Sequence, residues 1–317
     1  MYSIYQTETY FRIFDVRSEE FEHNGITFYY LLENSKFMKI RSELMTIEIS
    51  EDLVNYIFDT FGVNKITFSR LLDSKYTSKN TVSEIVLDDY ILELKTYSCF
   101  REYLLSFGKK TRQHLRYYRR QFDEFIVREN HHFFYNVLAL NENAYEFEKI
   151  GNAIIDLNQR RCIGKGIKFG TDRRIIKMCS EIGRIAYYKL DDKVIAGTLF
   201  TVLDDQIYLH VISHDNKWSC YNIGNLILLD TIEYAYNIGI KQFHFLWGDC
   251  EYKRRFGAVR HDLCDVIVYK FDLEFLIKKI CLKTKNVLRK LKKMLRNLLI
   301  KIVGERIVDK ICQTLKL

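Results

Sequence analysis

Three apolar runs in close succession constrain this 317-residue chain more than any other feature. Arg184–Leu190, Val194–Leu203 and Gln206–Ser213 are rich in β-branched and aromatic residues, and the turns Asp191–Asp192 and Asp204–Asp205 separate them. Runs of this kind joined by such short turns suggest an antiparallel meander. The chain contains no proline, whereas average usage of roughly 5% predicts about sixteen. Every turn must therefore be made by Gly, Asn, Asp or Ser.

The period changes on both sides of the meander. Asn222–Ile238 carries Leu226, Leu229, Ile232, Glu233 and Ala235 at helical spacing, and Asn237 with Gly239 reads as its stop. Lys241–Trp247 then reads as a buried strand and Val266–Tyr269 as another. Upstream, Asn141–Arg161 and Thr171–Glu181 read as helices joined by the Gly-rich loop Gly164–Gly170. Residues 1 to about 100 alternate strand-like runs (Gly25–Leu32, Phe37–Ile40, Lys65–Phe68, Tyr90–Leu94) with a helix over Ser50–Phe61. The pattern is mixed α/β, and the length favours two domains or one domain with an extension.

Charge is placed unevenly. The chain has a formal net charge of +8, and Asp272–Leu317 alone holds thirteen Lys/Arg against four Asp/Glu. That reads as a basic tail on an ordinary domain, and it argues against a nucleic-acid-binding body, which would spread its charge across the fold. In the tail Ile277, Ile280, Val287, Leu291, Leu295, Leu298 and Ile302 recur at mostly helical spacing, with Lys283, Lys290, Lys293 and Lys301 between them. Such a basic amphipathic helix suits either docking on protein or a peripheral contact with an anionic inner membrane face.

No run approaches the ~20 apolar residues of a spanning helix, and the first twelve residues lack signal-peptide order, so a cytoplasmic location is expected. The eight scattered cysteines form no Cys-x-x-Cys pair and no zinc-spaced cluster with histidine. Reduced thiols and no metal site are the expectation.

One further segment stands out. Lys109–Phe122, KKTRQHLRYYRRQF, places Lys109, Arg112, Arg116, Arg119 and Arg120 on one arc of a helix, with Leu115, Tyr118 and Phe122 on the next. One side can pack while the other offers cations to an anionic ligand, or simply faces solvent.

Taken in order, KKTRQHLRYYRRQF, the meander ending in VISHD, YNIGNLILLDTIEYAYNIGIKQFHF and the trailing GDCEYKRRFG resemble the CelD/BcsL-like branch of the GNAT acyltransferases. This branch is related to the Fem peptidyltransferases and occurs in polysaccharide biosynthesis. The likeness spans about Tyr90 to Lys270. It implies a GNAT-type mixed sheet in two tandem GNAT-like halves: residues 1–105 as a degenerate first half, 106–270 as the catalytic half, and 271–317 as the basic helical tail. A proline often precedes the loop glycine in the family; here that position is Ile223.

The resemblance implies an acyl-CoA co-substrate, with no permanently bound cofactor, and an amino group of a nucleotide- or lipid-linked sugar as acceptor. A helix N-terminus after a tight Gly turn suits a pyrophosphate, which assigns Asn222, Gly224, Asn225 and Leu226 to the coenzyme. An oxyanion donor is implied at the backbone of Ile212 or Ser213. The amine must lose a proton, and Asp215, His214, His210 and Asp249 are the candidate bases in that order, with His244 nearby on its strand. Period-two alternation puts Tyr208, His210, Ile212 and His214 on one face. Tyr252 and Lys253 match a Tyr-Lys pair of the branch, and with Lys109, Arg112 and Arg116 they are the candidate acceptor-binding residues. Two other classes stay open: a Fem-like transfer from aminoacyl-tRNA, and a non-enzymatic RNA- or membrane-binding module on a GNAT scaffold. No RRM, KH or zinc motif supports the last.

Overall fold

The computed structural model describes residues 2–73, 76, 79–139, 143–281, 284 and 294. Its first half contains α1 (Glu8–Phe14), β1 (Glu19–His23), β2 (Ile26–Asn34), β3 (Phe37–Arg41), α2 (Glu51–Phe61) and β4 (Lys65–Leu72). Then follow β5 (Thr81–Glu93), α3 (Phe100–Ser106), α4 (Lys109–Arg128), β6 (Phe133–Leu138), α5 (Ala144–Gly164) and α6 (Arg174–Ile182). The chain continues through β7 (Gly183–Leu190), β8 (Lys193–Leu203), β9 (Gln206–His214), α7 (Ile223–Asn237), β10 (Gln242–His244), α8 (Glu251–Arg255) and β11 (Val259–Tyr269).

Residues with short polar side chains make the turns that proline would otherwise help to make. The β7–β8 link is Asp191 and Asp192, with φ of 48° and 66°, and the β1–β2 link is Asn24 and Gly25, with φ of 50° and 73°. Two consecutive left-handed residues give the hairpin turn whose twist matches the strands it joins. Helix starts are equally local: Ser50 caps α2 by accepting from Leu53 N–H, and Asn143 caps α5 by accepting from Glu146 N–H.

All described strands join one eleven-stranded sheet in the order β1-β2-β3-β4-β11-β5-β10-β9-β8-β7-β6. The same motif occurs twice. The meander β1-β2-β3 is followed by α2 and by β4, which runs parallel to β3; the meander β7-β8-β9 is followed by α7 and by β10, which runs parallel to β9. Each half then sends its next strand across the centre: β5 pairs with β10, β11 pairs with β4, and β5 and β11 pair with each other. This is a GNAT-like mixed α/β fold in two halves.

Helices α3, α4 and α7 cover one face of the second half, where Tyr103, Leu115, Phe122, Leu226 and Ile232 meet the strands. Helices α5 and α6 cover the other, through Phe147, Ile154 and Ile176. In the first half α2 buries Leu53, Val54, Ile57 and Phe58 against the sheet. Residues 272–281 are helical. The rest of the amphipathic tail pattern, apart from Thr284 and Met294, lies outside the described residues.

Several elements escape the sequence reading. Strands β1 and β6 and helices α1, α3 and α8 carry no clear period, and β10 is three residues long where the apolar run Lys241–Trp247 suggests seven. Leu246 has a φ of 56°, which ends the strand early.

Candidate functional site

The two halves differ where their parallel strands meet. In the first, β3 stays paired with β4 from Phe37↔Lys65 to Ile40↔Phe68. In the second, β9 pairs with β10 only from Gln206↔Gln242 to Tyr208↔His244, yet β9 runs on to His214. After His244 the chain leans away from β9, and Phe245 N–H donates to the Tyr90 carbonyl of β5 at 2.8 Å. The gap between the diverging strands opens a cavity of about 430 Å³, walled by Leu209, His210 and Ile212 from β9 and by Phe245, Leu246 and Trp247 beyond β10. Cys250, Tyr252 and Lys253 close one end, and Tyr5 with Gly170–Asp172 lines it from the side.

A bulge shapes the β9 wall. The β8–β9 register passes from Phe200↔Leu209 directly to Leu199↔Val211, so His210 is opposite no residue of β8. An extra residue in one strand reverses the facing of everything beyond it. Ile207 and Leu209 pack in the α7-side core before the bulge, whereas Val211 packs in the α5-side core after it. Ile212 accordingly turns to the α7 side, and His214 lies against Gly224 of α7. The shared face expected for Tyr208, His210, Ile212 and His214 is therefore corrected: period two holds only on either side of His210.

His210 Nε2 lies 2.9 Å from Thr201 Oγ1, and burial pushes its imidazole down to about 3, so it is neutral at physiological pH. Ser213 is fully buried on the other face, with its Oγ lacking a hydrogen-bond partner among the described residues.

At the start of α7, Asn222 is left-handed with a φ of 53°, and its side chain receives a hydrogen bond from Asn225 Nδ2 at 2.9 Å instead of capping the helix. The Asn222 carbonyl already accepts from the Asn225 and Leu226 amides, and Asn222 N–H donates to Ser219 O. The amides of Ile223 and Gly224 are then the helix-end donors with no acceptor among the described residues. Gly224 is required by packing: a Cβ there would lie 2.6 Å from His214 Nδ1. Burial, Arg161 and Lys165 together lower the His214 pKa, and Arg161 also acts on Tyr252, whose hydroxyl is pushed up to about 12, chiefly by burial. Arg161, from α5, thus acts electrostatically both on His214 beside the α7 N-terminus and on Tyr252 at the end of the cavity. It makes no ion pair among the described residues.

The other expected site residues are dispersed. Asp215 caps the following 3-10 turn by accepting from Lys217 N–H at 3.0 Å and lines a separate hollow with Trp218 and Arg160. Exposed Asp249 accepts from the Tyr90 hydroxyl at 2.9 Å and pairs with Arg254. Lys253 is buried, and its ammonium donates to the carbonyls of Leu246 and Trp247 at 2.7 and 2.8 Å, so it clamps the loop that forms the cavity wall. Burial lowers its pKa. On α4, Arg112 donates to the Leu105 and Phe107 carbonyls and Arg119 pairs with Asp230 and Tyr188. Arg116 and Lys109 stay exposed, and Arg116 joins Leu115, Leu226 and Leu229 around a groove of about 380 Å³.

One pair was missed by ranking. His244 Nδ1 lies 2.6 Å from Asp89 Oδ2, with both side chains buried where β10 leaves β9. Asp89 sits inside β5 and is fully buried, and a carboxylate in an apolar strand was the signal available in the sequence.

The fold, with its splayed strands, is GNAT-like. Residues 109–254 match the family model described as an acetyltransferase (GNAT) domain. FemX resembles the chain in structure with a TM-score of 0.61 at 8% identity, covering 87% of this chain and 94% of that one. The DUF2156 C-terminal domain of a protein assigned as a lysylphosphatidylglycerol synthetase from Agrobacterium fabrum superposes with a TM-score of 0.53 at 10% identity, over 83% and 86% of the two chains. L-PGS from Bacillus licheniformis gives 0.50 at 13% identity, over 82% and 87%. No curated protein matches the sequence. At such identities the likeness is one of fold. Among the described residues no helix is long and apolar enough to cross a membrane, and no cluster of His, Cys, Asp and Glu could hold a metal ion.

Proposed function

We propose that the protein transfers an acyl group from an acyl-CoA thioester to an amino group of a nucleotide- or lipid-linked sugar in surface polysaccharide assembly. The observation that carries the reading is the splay of β9 from β10 beside the open amides of Ile223 and Gly224, with Arg161 and Lys165 close by. The pyrophosphate of coenzyme A would sit on those amides and cations. The pantetheine would thread the gap toward the cavity, where the thioester meets the β9 wall around the His210 bulge. Tyr252, protonated throughout the physiological range, can give a proton to the departing thiolate.

The sugar acceptor rests on the order of motifs and on the cation-lined groove beside α7. Leu273, Leu276, Ile277 and Ile280 are exposed on residues 272–281, which supports a peripheral membrane contact near lipid-linked substrates.

The test is release of coenzyme A from acetyl-CoA by the purified protein with UDP-linked amino sugars and no tRNA. Turnover is expected, and Arg161→Gln should raise the KM for acetyl-CoA about tenfold, a loss of about 1.4 kcal/mol. Transfer seen only with aminoacyl-tRNA would replace the donor, and no transfer with either would leave a binding module.

A further inference from the structure

The His244–Asp89 pair has the geometry of a proton acceptor and belongs to neither the coenzyme site nor the clamp of the loop. Asp89 Oδ1 receives the Tyr90 amide proton at 2.7 Å, while Oδ2 faces His244 Nδ1 at 2.6 Å. With Asp89 as the acceptor of this bond, a neutral imidazole carries its proton on Nδ1 and presents a lone pair at Nε2. The ring is held from the β9 side by Tyr208, stacked at 4.6 Å between centroids and 17° between planes. His244 is 2% exposed, and its Nε2 has no partner among the described residues. A buried acceptor of this kind is normally satisfied by water or by a ligand.

Its position fits the second role. His244 is the last residue of β10 paired to β9, and the next residue, Phe245, is already in the cavity wall. The ionisable groups packed around the pair are Tyr208 from β9, Lys253 from α8, Tyr5 from the N-terminal turn, and Asp88 beside Asp89 on β5; Asp89 acts on the first three electrostatically. By contrast His210, inside the cavity, has Nε2 engaged by Thr201 and no carboxylate beside it.

The geometry points to His244 as the proton acceptor of the transfer, reached through one water at Nε2, with Asp89 as its positioning residue. The inference rests on the acyl-transfer reading. The amine lone pair forms the C–N bond at the thioester carbonyl, the nitrogen's proton passes through the water to Nε2, and Asp89 stabilises the imidazolium. The C–S bond then breaks with its electron pair on sulfur, Tyr252 gives the thiolate its proton, and the proton held by His244 passes back through water to the Tyr252 phenolate, leaving both side chains unchanged.

Two measurements on the full chain test this. Long-range nitrogen–proton spectra of the histidine rings should show His244 protonated at Nδ1 and bare at Nε2 at pH 7. With acetyl-CoA and UDP-glucosamine as probes, His244→Gln should lower kcat about a hundredfold or more with the KM for acetyl-CoA within twofold. Asp89→Asn, nearly isosteric, covers the case in which His244→Gln does not fold; it should move the acid limb of the kcat–pH profile to lower pH, because the imidazolium loses its anion. A proton on Nε2, or kcat within threefold of wild type in His244→Gln, would overturn the proposal. If wild-type protein fails to bind coenzyme A by calorimetry, the acyl-transfer reading falls and this role falls with it. If it binds but releases no thiol from these probes, the tautomer decides: a bare Nε2 upholds the acceptor and a protonated one removes it.

Discussion

Gly224 and His214 are in contact so close that a single added carbon cannot fit: a Cβ on Gly224 would stand 2.6 Å from His214 Nδ1 and 2.9 Å from its Cε1. The ring of His214 therefore packs directly on the first turn of α7, beside the amides that remain open. Gly224→Val should displace the ring and distort that turn, and coenzyme A affinity measured by calorimetry should drop at least tenfold, or about 1.4 kcal/mol. A folded variant with unchanged affinity would remove the coenzyme from this turn.

Asp215 heads the ranking of bases read from sequence, but it lines a different hollow from the His210 cavity. Its carboxylate caps residues 216–221 through Lys217 N–H. Asparagine caps as well as aspartate, so Asp215→Asn should leave both stability and turnover within about threefold, while Asp215→Ala should cost about 1 kcal/mol in urea unfolding. A loss of about a hundredfold in turnover for Asp215→Asn would restore it as the base.

Arg119 of α4 is held by Asp230 of α7 and by the Tyr188 hydroxyl, and Tyr135 donates to the Asp230 carbonyl at 3.1 Å. The Asp230 side chain is only 14% exposed, so removing Arg119 leaves a nearly buried carboxylate without its counter-charge, held only by the Tyr188 hydroxyl. Arg119→Ala should lower stability by about 3 kcal/mol, whereas Arg120→Ala, whose exposed partner is Glu124, should change it by less than about 0.5 kcal/mol. Equal effects in thermal unfolding would show that the α4–α7 contact does not depend on this pair.

Acid should weaken the fold through His210 before carboxylates titrate. Its pKa falls to about 3 in the folded chain because of burial, while an unfolded histidine titrates near 6.5. The unfolded state binds the extra proton between those values, so stability is lost as pH falls from about 6.5 toward 3, and the term is absent above 6.5. His214, lowered by burial and by Arg161 and Lys165, adds in the same direction. Urea midpoints should decline from pH 7 to pH 5, and His210→Gln should flatten that decline. An unchanged slope in the variant would mean that the ring is open to water.

The meander, both helix–strand repeats and the basic face of α4 were legible because each depends on short-range rules: turn chemistry, period and capping. Asp191–Asp192 determined an antiparallel hairpin, and the spacing from Leu226 to Ala235 determined α7, whatever lay around them. What the sequence could not determine is which residues meet. The His210 bulge is a mismatch between two strands, so neither strand records it alone, and it reversed the facing of Ile212 and His214. The pairing of His244 with Asp89 joins residues 155 apart through the placement of β10 beside β5, a contact that no local period encodes. Lys253 likewise reads as a free cation in EYKRRF but is spent on two carbonyls, because the short β10 leaves its following loop with acceptors to satisfy. Local propensity selected the elements, and burial of one shared sheet decided the chemistry between them.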